Sequence, residues 1–377
     1  MYKNHERALE ALARRGRRRA LTAIAGADFT SNDYLGLASS RELKDAARAA
    51  LARDVPIGSG GSRLLRGNHR EHEALESEAA AFFGAQCALF FGSGYLANLA
   101  LFSTLPQRGD VVVHDALIHA SVHEGMRAGK AERAEARHND AQSFEDAIKD
   151  WRAAGGTGTP WIAVESLYSM DGDRAPLADL AAVADRHDGV LVIDEAHATG
   201  VLGPDGRGLA TAVEGKDNVV ALHTCGKALG VEGALVAGPQ LLCDFLVNRS
   251  RPFIYATAPS PLVAAIVRAA LLICRFDGAR RERLQKLVAV AGAALESSCG
   301  LSASGSHIQP VVVGADERTV RLATAMQARG FDVRAVRPPT VPEGTARLRL
   351  SLTLNVDEAQ VEAMAAALAD ELKRLDA

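Results

Sequence analysis

Long apolar runs, paired cysteines and an excess of positive charge are all absent from this chain of 377 residues. No apolar segment approaches the roughly 20 residues that a helix needs to cross a bilayer. The five cysteines are odd in number and scattered, with no CxxC pair and no Cys/His spacing typical of zinc. With a formal net charge of -3, the chain has no overall basic surface for nucleic acid. These absences argue against a membrane protein, a metal site and a nucleic-acid-binding protein, and they favour a protein of the reducing cytoplasm.

The N-terminal region contains a run of positive charge, in the sequence "ALARRGRRRALTAIAG". A basic cluster before a short apolar piece is the pattern of a signal peptide. Here Glu6 and Glu10 precede the cluster, and Gly26 and Asp28 interrupt the apolar piece. We therefore expect a helix with a solvated basic face instead of a targeting segment. One of these arginines could bind an anionic substrate.

Short apolar strands alternate with helical segments over the first two thirds of the chain. Strands that are apolar throughout, such as "VLVID" at 190–194, are typical of a mostly parallel sheet covered by helices on both faces. After about residue 262 the pattern changes to that of a separate α+β region, and the length of the chain also favours two lobes. We predict an α/β protein with an N-terminal segment at 1–40, a large domain at 41–262 and a smaller α+β domain at 263–377.

Polar residues follow several of the predicted strands at their carboxyl ends. They are Gly94, His119, Ser169, Asp194 and Thr224. Open α/β sheets bind their ligands at this edge. The sequence therefore predicts a ligand site there.

The segments "VLVIDEAHATG" and "HTCGKALG" contain an acid, a histidine and a lysine in that order. Asp194 ends a buried strand, where a carboxylate is costly unless it is paired. It could cap a helix, bind a metal or keep a proton on a heterocyclic nitrogen, as pyridoxal phosphate (PLP) requires. His197 would then lie near the phenolic oxygen of the same ring. Lys227 is either an ordinary loop lysine or a desolvated amine that can form a Schiff base.

A phosphate group would need hydrogen-bond donors near this site. The segment "FGSGYLAN" at 91–98 predicts a glycine-rich turn into a helix N-terminus, which is suited to an anion, although a purely structural turn fits equally well. Thr224 could add a hydroxyl group. His119 could stack on a cofactor ring or could simply be a packed residue.

The letters "DEAH" at 194–197 also match the metal-binding box of nucleic-acid-dependent NTPases. Such an enzyme needs a GxxxxGK[ST] phosphate loop upstream of that box. The sequence contains none, because Gly226-Lys227 is followed by Ala228 and lies downstream. This interpretation is therefore rejected.

The chain as a whole resembles the α-oxoamine synthases, which are PLP enzymes of the aspartate aminotransferase fold (fold type I). The resemblance is carried by motifs in the family's order, from about residue 30 to 355: "SNDYLGL", "GSGGSRLLRGNHREHEALE", "SGYLAN", "IHAS", "HND", "SMDGD", "DEAHATG", "GKALG" and "RPPTVPEGTARLRL". It implies a large, mostly parallel PLP-binding domain with a smaller C-terminal domain. It also implies a homodimer with active sites at the subunit interface.

The resemblance implies a role for each matching residue. Lys227 would bind PLP covalently, Asp194 would pair with the pyridine nitrogen, and His197 with the phenolic oxygen. His119 would stack on the ring, and Lys227, His119 and Asp194 would be the catalytic residues. The remaining cofactor contacts would be Ser169, Thr224, Gly94 and Tyr95, and the substrate contacts would be Arg17, Asn32, His119, Arg337, Thr340 and Arg349.

The wording of the motifs is most similar to the branch of the family that serves biotin biosynthesis. That branch implies condensation of L-alanine with a pimeloyl thioester, carried on CoA or on an acyl carrier protein, to give 8-amino-7-oxononanoate, CO2 and a free thiol. Two alternatives stay open: a sibling enzyme that joins glycine or serine to another acyl-CoA, and a catalytically silent PLP-binding protein. "GTARLRL" alternates as a strand, so Arg347 and Arg349 share one face and the spacing does not separate them.

Overall fold

Helices and strands alternate along the computed structural model, which describes residues 1–376. The helices are α1 (Lys3–Arg14), α2 (Arg41–Ala52), α3 (Arg70–Phe83), α4 (Gly94–Thr104), α5 (Ala120–Ala128), α6 (Ala141–Ala153), α7 (Leu177–Arg186), α8 (Gln240–Arg249), α9 (Arg251–Ile254), α10 (Pro261–Phe276), α11 (Gly278–Cys299), α12 (Asp316–Ala328) and α13 (Glu358–Asp376). The strands are β1 (Ala27–Asp28), β2 (Cys87–Phe91), β3 (Val111–Asp115), β4 (Glu132–Ala136), β5 (Pro160–Glu165), β6 (Val190–Asp194), β7 (Val219–Thr224), β8 (Ala234–Gly238), β9 (Ile308–Gly314), β10 (Phe331–Asp332), β11 (Ala335–Val336) and β12 (Ala346–Ser351).

The larger of two compact units comprises residues 35–169 and 174–281. It contains a seven-stranded sheet in the order β2-β8-β7-β6-β5-β3-β4. Neighbouring strands from β7 to β4 are parallel, and β8 runs antiparallel to both β2 and β7. This confirms the predicted α/β fold with a mostly parallel sheet.

Successive side chains on a strand point to opposite faces of the sheet, so the interior of this unit has two cores. Val112, Ala163 and Val192 belong to the core that includes buried residues of α4 and α5. Their neighbours in sequence, Val113 and Ile193 among them, belong to the core that includes residues of α6 and α7. Strands buried on both faces have no polar side, which explains their continuous apolar sequences.

Two side-chain caps set the start of the helices nearest the predicted site. Ser93 caps α4 by accepting a hydrogen bond from Leu96 N at 3.2 Å. The imidazole of His119 caps α5 by accepting from Ser121 N at 3.3 Å. Each cap satisfies a backbone N–H that the first turn of a helix leaves unpaired.

The smaller unit comprises residues 1–34, 170–173 and 282–377 as far as the structure describes them. Its three-stranded antiparallel sheet has the order β11-β12-β9, and β1 pairs with β10 in parallel. All six residues of the central strand β12 are buried, including Arg347 and Arg349. Charged side chains in a buried strand need partners, and these are described below.

The observed division differs from the one predicted near residue 262. The region after residue 262 begins within α10, which is followed by α11 after a break at Asp277. Leu262 and Ala265 of α10 pack with Ala50 and Val55, which explains why α10 belongs to the larger unit. Residues 170–173 belong to the smaller unit, and the pattern of apolar and polar residues in the sequence did not indicate this. Among residues 1–376, no helix is both long and apolar enough to span a membrane.

Candidate active site

All residues predicted to contact the cofactor lie in the larger unit, and most lie just beyond the carboxyl ends of its strands. They are Gly94, Tyr95, His119, Ser169, Asp194, His197, Thr224 and Lys227. The predicted substrate contacts other than His119, namely Arg17, Asn32, Arg337, Thr340 and Arg349, lie in the smaller unit. The two groups are therefore described separately.

Asp194 ends β6 and anchors a chain of hydrogen bonds. Its Oδ1 accepts from Ala196 N at 2.9 Å, and its Oδ2 accepts from Asn98 Nδ2 at 2.8 Å. The same amide nitrogen lies 3.0 Å from Ser121 Oγ, which in turn lies 2.7 Å from His119 Nδ1. The chain thus connects a buried acid to a histidine at the open end of the site. Sequence reasoning missed both Asn98 and Ser121.

Lys227 is half-buried and close enough for its charge to act on two neighbouring groups. His119 is exposed, yet the protein around its ring desolvates it and lowers its pKa; Asp194 opposes this effect and Lys227 adds to it. The charge of Lys227 also partly opposes the raised pKa of Glu165. The structure therefore brings Lys227, His119 and Asp194 close enough for their charges to interact, and the Schiff-base role of Lys227 stays a prediction.

Glu165 is a second buried acid that sequence reasoning did not single out. It ends β5 and is the register partner of Asp194 on β6. Its Oε2 accepts from Ser169 N at 3.0 Å. Burial first, and the charge of Asp194 second, raise the pKa of Glu165 to about 8. Its strand, "WIAVE", ends on an acid as "VLVID" does, so the signal was present in the sequence.

Gly94 opens α4 directly against Thr224. A Cβ atom at position 94 would lie 2.6 Å from Thr224 Cγ2, so only glycine fits at this spacing. Thr224 is buried, and its hydroxyl donates to Ala196 O at 3.3 Å, while Tyr95 is half-exposed. His197, which follows β6, and Ser169, which follows β5, are both buried. Gly94 thus lets the N-terminus of α4 lie directly against the Thr224 side chain, and helix N-termini attract anions.

This set of residues fits PLP on chemical grounds. Lys227 supplies an amine for the aldehyde, and Asp194 supplies a buried carboxylate for a protonated ring nitrogen. The start of α4, where Gly94 allows close packing against Thr224, suits the phosphate. The three features meet the three functional ends of that cofactor.

In the smaller unit, Arg349 and Asn32 are joined through Tyr34. Arg349 donates from Nη1 to Ser351 Oγ at 2.6 Å and from Nη2 to Tyr34 Oη at 3.1 Å. Tyr34 Oη donates to Asn32 Oδ1 at 2.9 Å. Arg347, on the same face of β12, instead forms an ion pair with Asp171. The two arginines of β12 thus differ in their contacts, since Arg347 pairs with Asp171 and Arg349 bonds to the hydroxyl groups of Ser351 and Tyr34.

Arg17 is engaged by acids of its own unit. Its Nε donates to Asp316 Oδ2 at 2.5 Å, and Nη1 and Nη2 donate to the carboxylate of Glu343 at 2.9 and 2.5 Å. These hydrogen bonds raise the pKa of Arg17. Arg337 donates to Gly16 O, and burial lowers its pKa. Thr340 is exposed on the turn that follows Arg337.

Comparison with known proteins agrees with this geometry. The family model for aminotransferase class I and II matches residues 26–368. The curated 8-amino-7-oxononanoate synthase of Chromobacterium violaceum is 46% identical over 338 residues, covering 89% of this chain and 86% of the relative. A solved 8-amino-7-oxononanoate synthase from Francisella tularensis has a TM-score of 0.78 at 28% identity, covering 93% of this chain and 98% of that one. A serine palmitoyltransferase variant from S. paucimobilis, solved with bound PLP–myriocin, has a TM-score of 0.90 at 26% identity, covering 100% and 98%.

The class follows from the fold, the sheet-edge lysine and the matched model: the chain belongs to the aminotransferase class I and II family. Within that family it is an α-oxoamine synthase, since its curated relatives at 40% identity and above are 8-amino-7-oxononanoate synthases.

Proposed function

We propose that this chain catalyses the PLP-dependent decarboxylative condensation of L-alanine with a pimeloyl thioester, a reaction of biotin biosynthesis. The products are 8-amino-7-oxononanoate, CO2 and the free thiol. The observation that carries the proposal is the convergence of Lys227, Asp194 and His119 at one edge of the sheet. The substrate assignment is supported by the 46% identity to the Chromobacterium violaceum synthase.

PLP, when bound, supplies an electron sink that makes the Cα–H and Cα–carboxylate bonds of an amino acid labile. Lys227 Nζ holds the cofactor at rest and, once released, takes the proton from Cα of alanine. Asp194 keeps the proton on the ring nitrogen, and His197 and Ser169 contact the ring from the same edge. Thr224, Gly94, Tyr95 and the start of α4 bind the phosphate.

The bond changes of the reaction balance without an additional reactant. A bond forms between Cα of alanine and the pimeloyl carbonyl carbon while the C–S bond breaks and the thiol leaves. The Cα–carboxylate bond then breaks, CO2 leaves, and Lys227 returns to Cα the proton that it took, while the thiolate takes a proton from solvent. His119 donates a hydrogen bond to a substrate oxygen during these steps, at the alanine carboxylate or at the thioester carbonyl.

The substrate carboxylates are bound by residues of the smaller unit. Arg349 and Asn32, already joined through Tyr34, bind one carboxylate, because the planar fork of a guanidinium matches the two oxygens of a carboxylate. Arg337 and Thr340 add contacts from the turn that follows β11. Arg17 can bind a substrate carboxylate only if that carboxylate replaces one of the two acidic side chains that Arg17 now contacts. The exposed Glu343 is the one replaced.

The working form is a homodimer with active sites at the interface, in the cytoplasm. The larger unit exposes apolar side chains along one stretch, at Ile57, Leu64 and Leu65. Tyr255 is exposed on the neighbouring segment, which contacts that stretch through Ala258 N and Gly61 O at 2.9 Å. Exposed apolar surface of this kind favours a protein interface. The five cysteines are all free, as expected in a reducing compartment. Sedimentation analysis measures the oligomeric state directly.

Thiol release from pimeloyl-CoA by the PLP-loaded protein tests the substrate assignment. L-alanine, glycine and L-serine are supplied in parallel, and the same series is run with pimeloyl-acyl carrier protein. Release with alanine alone is the expected result, and the faster carrier identifies the donor. Release only with glycine or serine, or only with another acyl-CoA, contradicts the proposal while leaving the PLP site intact.

A sibling activity that joins serine or glycine to another acyl-CoA is the second candidate. The structural match to the S. paucimobilis serine palmitoyltransferase, with a TM-score of 0.90, favours it. The sequence identity of 26% to that enzyme, against 46% to the Chromobacterium violaceum synthase, favours the first candidate more strongly.

A further inference from the structure

We propose that Asn98 and Ser121 are positioning residues that hold His119 as a neutral imidazole with its proton on Nε2, and that they couple this state to the carboxylate of Asp194. His119 would then meet the substrate as a hydrogen-bond donor and not as a base. The tautomer is a property of this chain alone; only the identity of the acceptor rests on the proposed function.

The first step concerns Nδ1 of His119. The backbone N–H of Ser121 lies 3.3 Å from it, and a backbone N–H can only donate. Nδ1 therefore acts as an acceptor and carries no proton. An imidazolium has a proton on both nitrogens and could not accept this bond. In a neutral ring with an unprotonated Nδ1, the proton lies on Nε2.

The second step fixes the direction of the bond from the Ser121 hydroxyl. Asn98 Nδ2 donates to Ser121 Oγ at 3.0 Å, so the oxygen is the acceptor in that contact. The single hydroxyl hydrogen is then available for His119 Nδ1 at 2.7 Å. The hydroxyl bond at 2.7 Å is much shorter than the backbone bond at 3.3 Å, so the serine hydroxyl is the stronger of the two donors to this nitrogen. The long backbone bond, which Ser121→Ala would keep, is too weak to hold the tautomer by itself.

The third step fixes the orientation of the Asn98 amide. Its two polar partners are Asp194 Oδ2 at 2.8 Å and Ser121 Oγ at 3.0 Å. An ionised carboxylate can only accept, so the amide nitrogen and not the amide oxygen faces Asp194. Both hydrogens of the amide are used, one for each partner. The Asp194 carboxylate, which accepts from both Asn98 and Ala196, therefore determines the direction of every bond that follows.

Burial makes these directions hard to reverse. Asn98 is 2% exposed, Ser121 is 0% and Asp194 is 7%. Water cannot replace a lost partner at such positions, so a reversed bond would leave a buried polar atom unsatisfied. His119 alone opens towards solvent. The chain therefore runs from a buried, fixed end to an exposed, functional end.

The charges that face the ring agree with a neutral His119. Partial desolvation lowers the pKa of its imidazole, Asp194 raises it and Lys227 lowers it. A neutral ring with Nε2–H can donate to a carbonyl or carboxylate oxygen, where negative charge develops. It cannot remove a proton through Nε2 without first giving up the one it carries.

The test is 15N NMR of histidine-labelled protein, with and without PLP, using a His119 variant to assign the signals. The expected wild-type spectrum at neutral pH has an unprotonated Nδ1 and a protonated Nε2 at His119. In Ser121→Ala we expect both tautomers, with a kcat about tenfold lower and a KM for alanine that is little changed. Ser121→Thr, which keeps the hydroxyl, should restore the wild-type spectrum.

Two further variants separate positioning from a general structural effect. Asn98→Leu removes both amide donors and should change the His119 spectrum in the same direction as Ser121→Ala. Ser103→Ala is the matched control, because Ser103 lies on the same helix as Asn98 but its hydroxyl donates to Leu99 O. It should leave the spectrum and kcat unchanged.

The outcomes discriminate between this inference and the proposed function. A protonated Nδ1 or a charged His119 in the wild-type protein at neutral pH overturns the inference, as does an unchanged His119 spectrum in Ser121→Ala. The expected spectra in a protein that does not release thiol with alanine leave the inference standing and overturn the proposed function instead.

Discussion

Glu165 and Asp194 are register partners on the neighbouring parallel strands β5 and β6, so their carboxyl groups leave the sheet on the same side. Two adjacent buried acids cannot both be charged without a large cost. Asp194 has two hydrogen-bond donors, from Asn98 and Ala196, that favour its charge. Glu165 is 2% exposed, and burial raises its pKa to about 8. Glu165 is therefore the member of the pair that is neutral at neutral pH.

The first prediction concerns the pH dependence of stability. The pKa of Glu165 is about 8 in the folded chain against an ordinary value of 4.5, so unfolding between these values releases a proton. Its stabilising effect is complete below the ordinary pKa and is lost as the pH rises through about 8. We expect Glu165→Gln, which stays neutral, to reduce the fall in the free energy of unfolding over this window. Urea denaturation at several pH values measures it.

A contrasting result is expected for Glu195→Gln. Burial raises the pKa of Glu195 to about 7, but its two carboxylate oxygens accept from Leu209 N and Ala210 N. A glutamine would place an NH2 group against one of these N–H donors and should destabilise the fold at every pH. If Glu165→Gln behaved in the same way as Glu195→Gln, the neutral state assigned to Glu165 would be wrong.

Lys227→Ala should abolish turnover and the covalent attachment of PLP. The amine is the only group in the proposed mechanism that both binds the aldehyde and moves the Cα proton, so no partial activity is expected. Borohydride treatment followed by mass spectrometry should label the wild-type chain and not the variant. Lys216→Ala is the control, because Lys216 pairs with Asp185 at the surface. Equal labelling of both variants would contradict the assignment.

Gly94→Ala should weaken PLP binding by about tenfold or more, because the new Cβ would lie 2.6 Å from Thr224 Cγ2. Thr224→Ser removes that methyl group and keeps the hydroxyl. The double variant should therefore bind PLP more tightly than Gly94→Ala alone, as measured by fluorescence titration. Gly92→Ala, where a Cβ meets nothing within 4 Å, should bind as the wild type does. Absence of recovery in the double variant would place the cause outside this contact.

Arg349→Lys should raise the KM of an anionic substrate by about 10- to 100-fold, because a lysine cannot reproduce the planar fork. Tyr34→Phe, which removes the link to Asn32, should have a smaller effect in the same direction. Arg347→Lys is the matched control on the same strand face. Since Arg347 pairs with Asp171, that change should lower the melting temperature and leave KM unaltered. If Arg347→Lys raised KM and Arg349→Lys only lowered the melting temperature, Arg347 would be the substrate-binding arginine and Arg349 the structural one.

Much of the larger unit could be predicted from the sequence because its strands are apolar throughout and end on polar residues. Asp194, Thr224 and the Gly94 turn are local features of this kind. Glu165 has the same local signal, but its interaction with Asp194 depends on the register of β5 and β6. The order of strands in the sheet supplies that information.

Asn98 and Ser121 could not be found in this way because they lie on different helices, α4 and α5. Their proximity requires that both helices pack over the same face of the sheet. The one signal available was an amide inside the otherwise apolar segment "YLANLALF". Likewise, the triplet at 17–19 contains three similar arginines, and only the fold shows that Arg17 is bound to Asp316 and Glu343.

Histidine is the one residue type that meets both requirements of position 119, a side-chain cap for α5 and an aromatic ring. The imidazole caps the helix through Nδ1 while its other nitrogen is available to a ligand. Phenylalanine or tyrosine could cover a flat ring but could not accept from the first turn of α5. Asparagine or serine could cap the helix but would offer no aromatic face. A substitution at position 119 would therefore lose either the helix cap or the ring contact that we propose for His119.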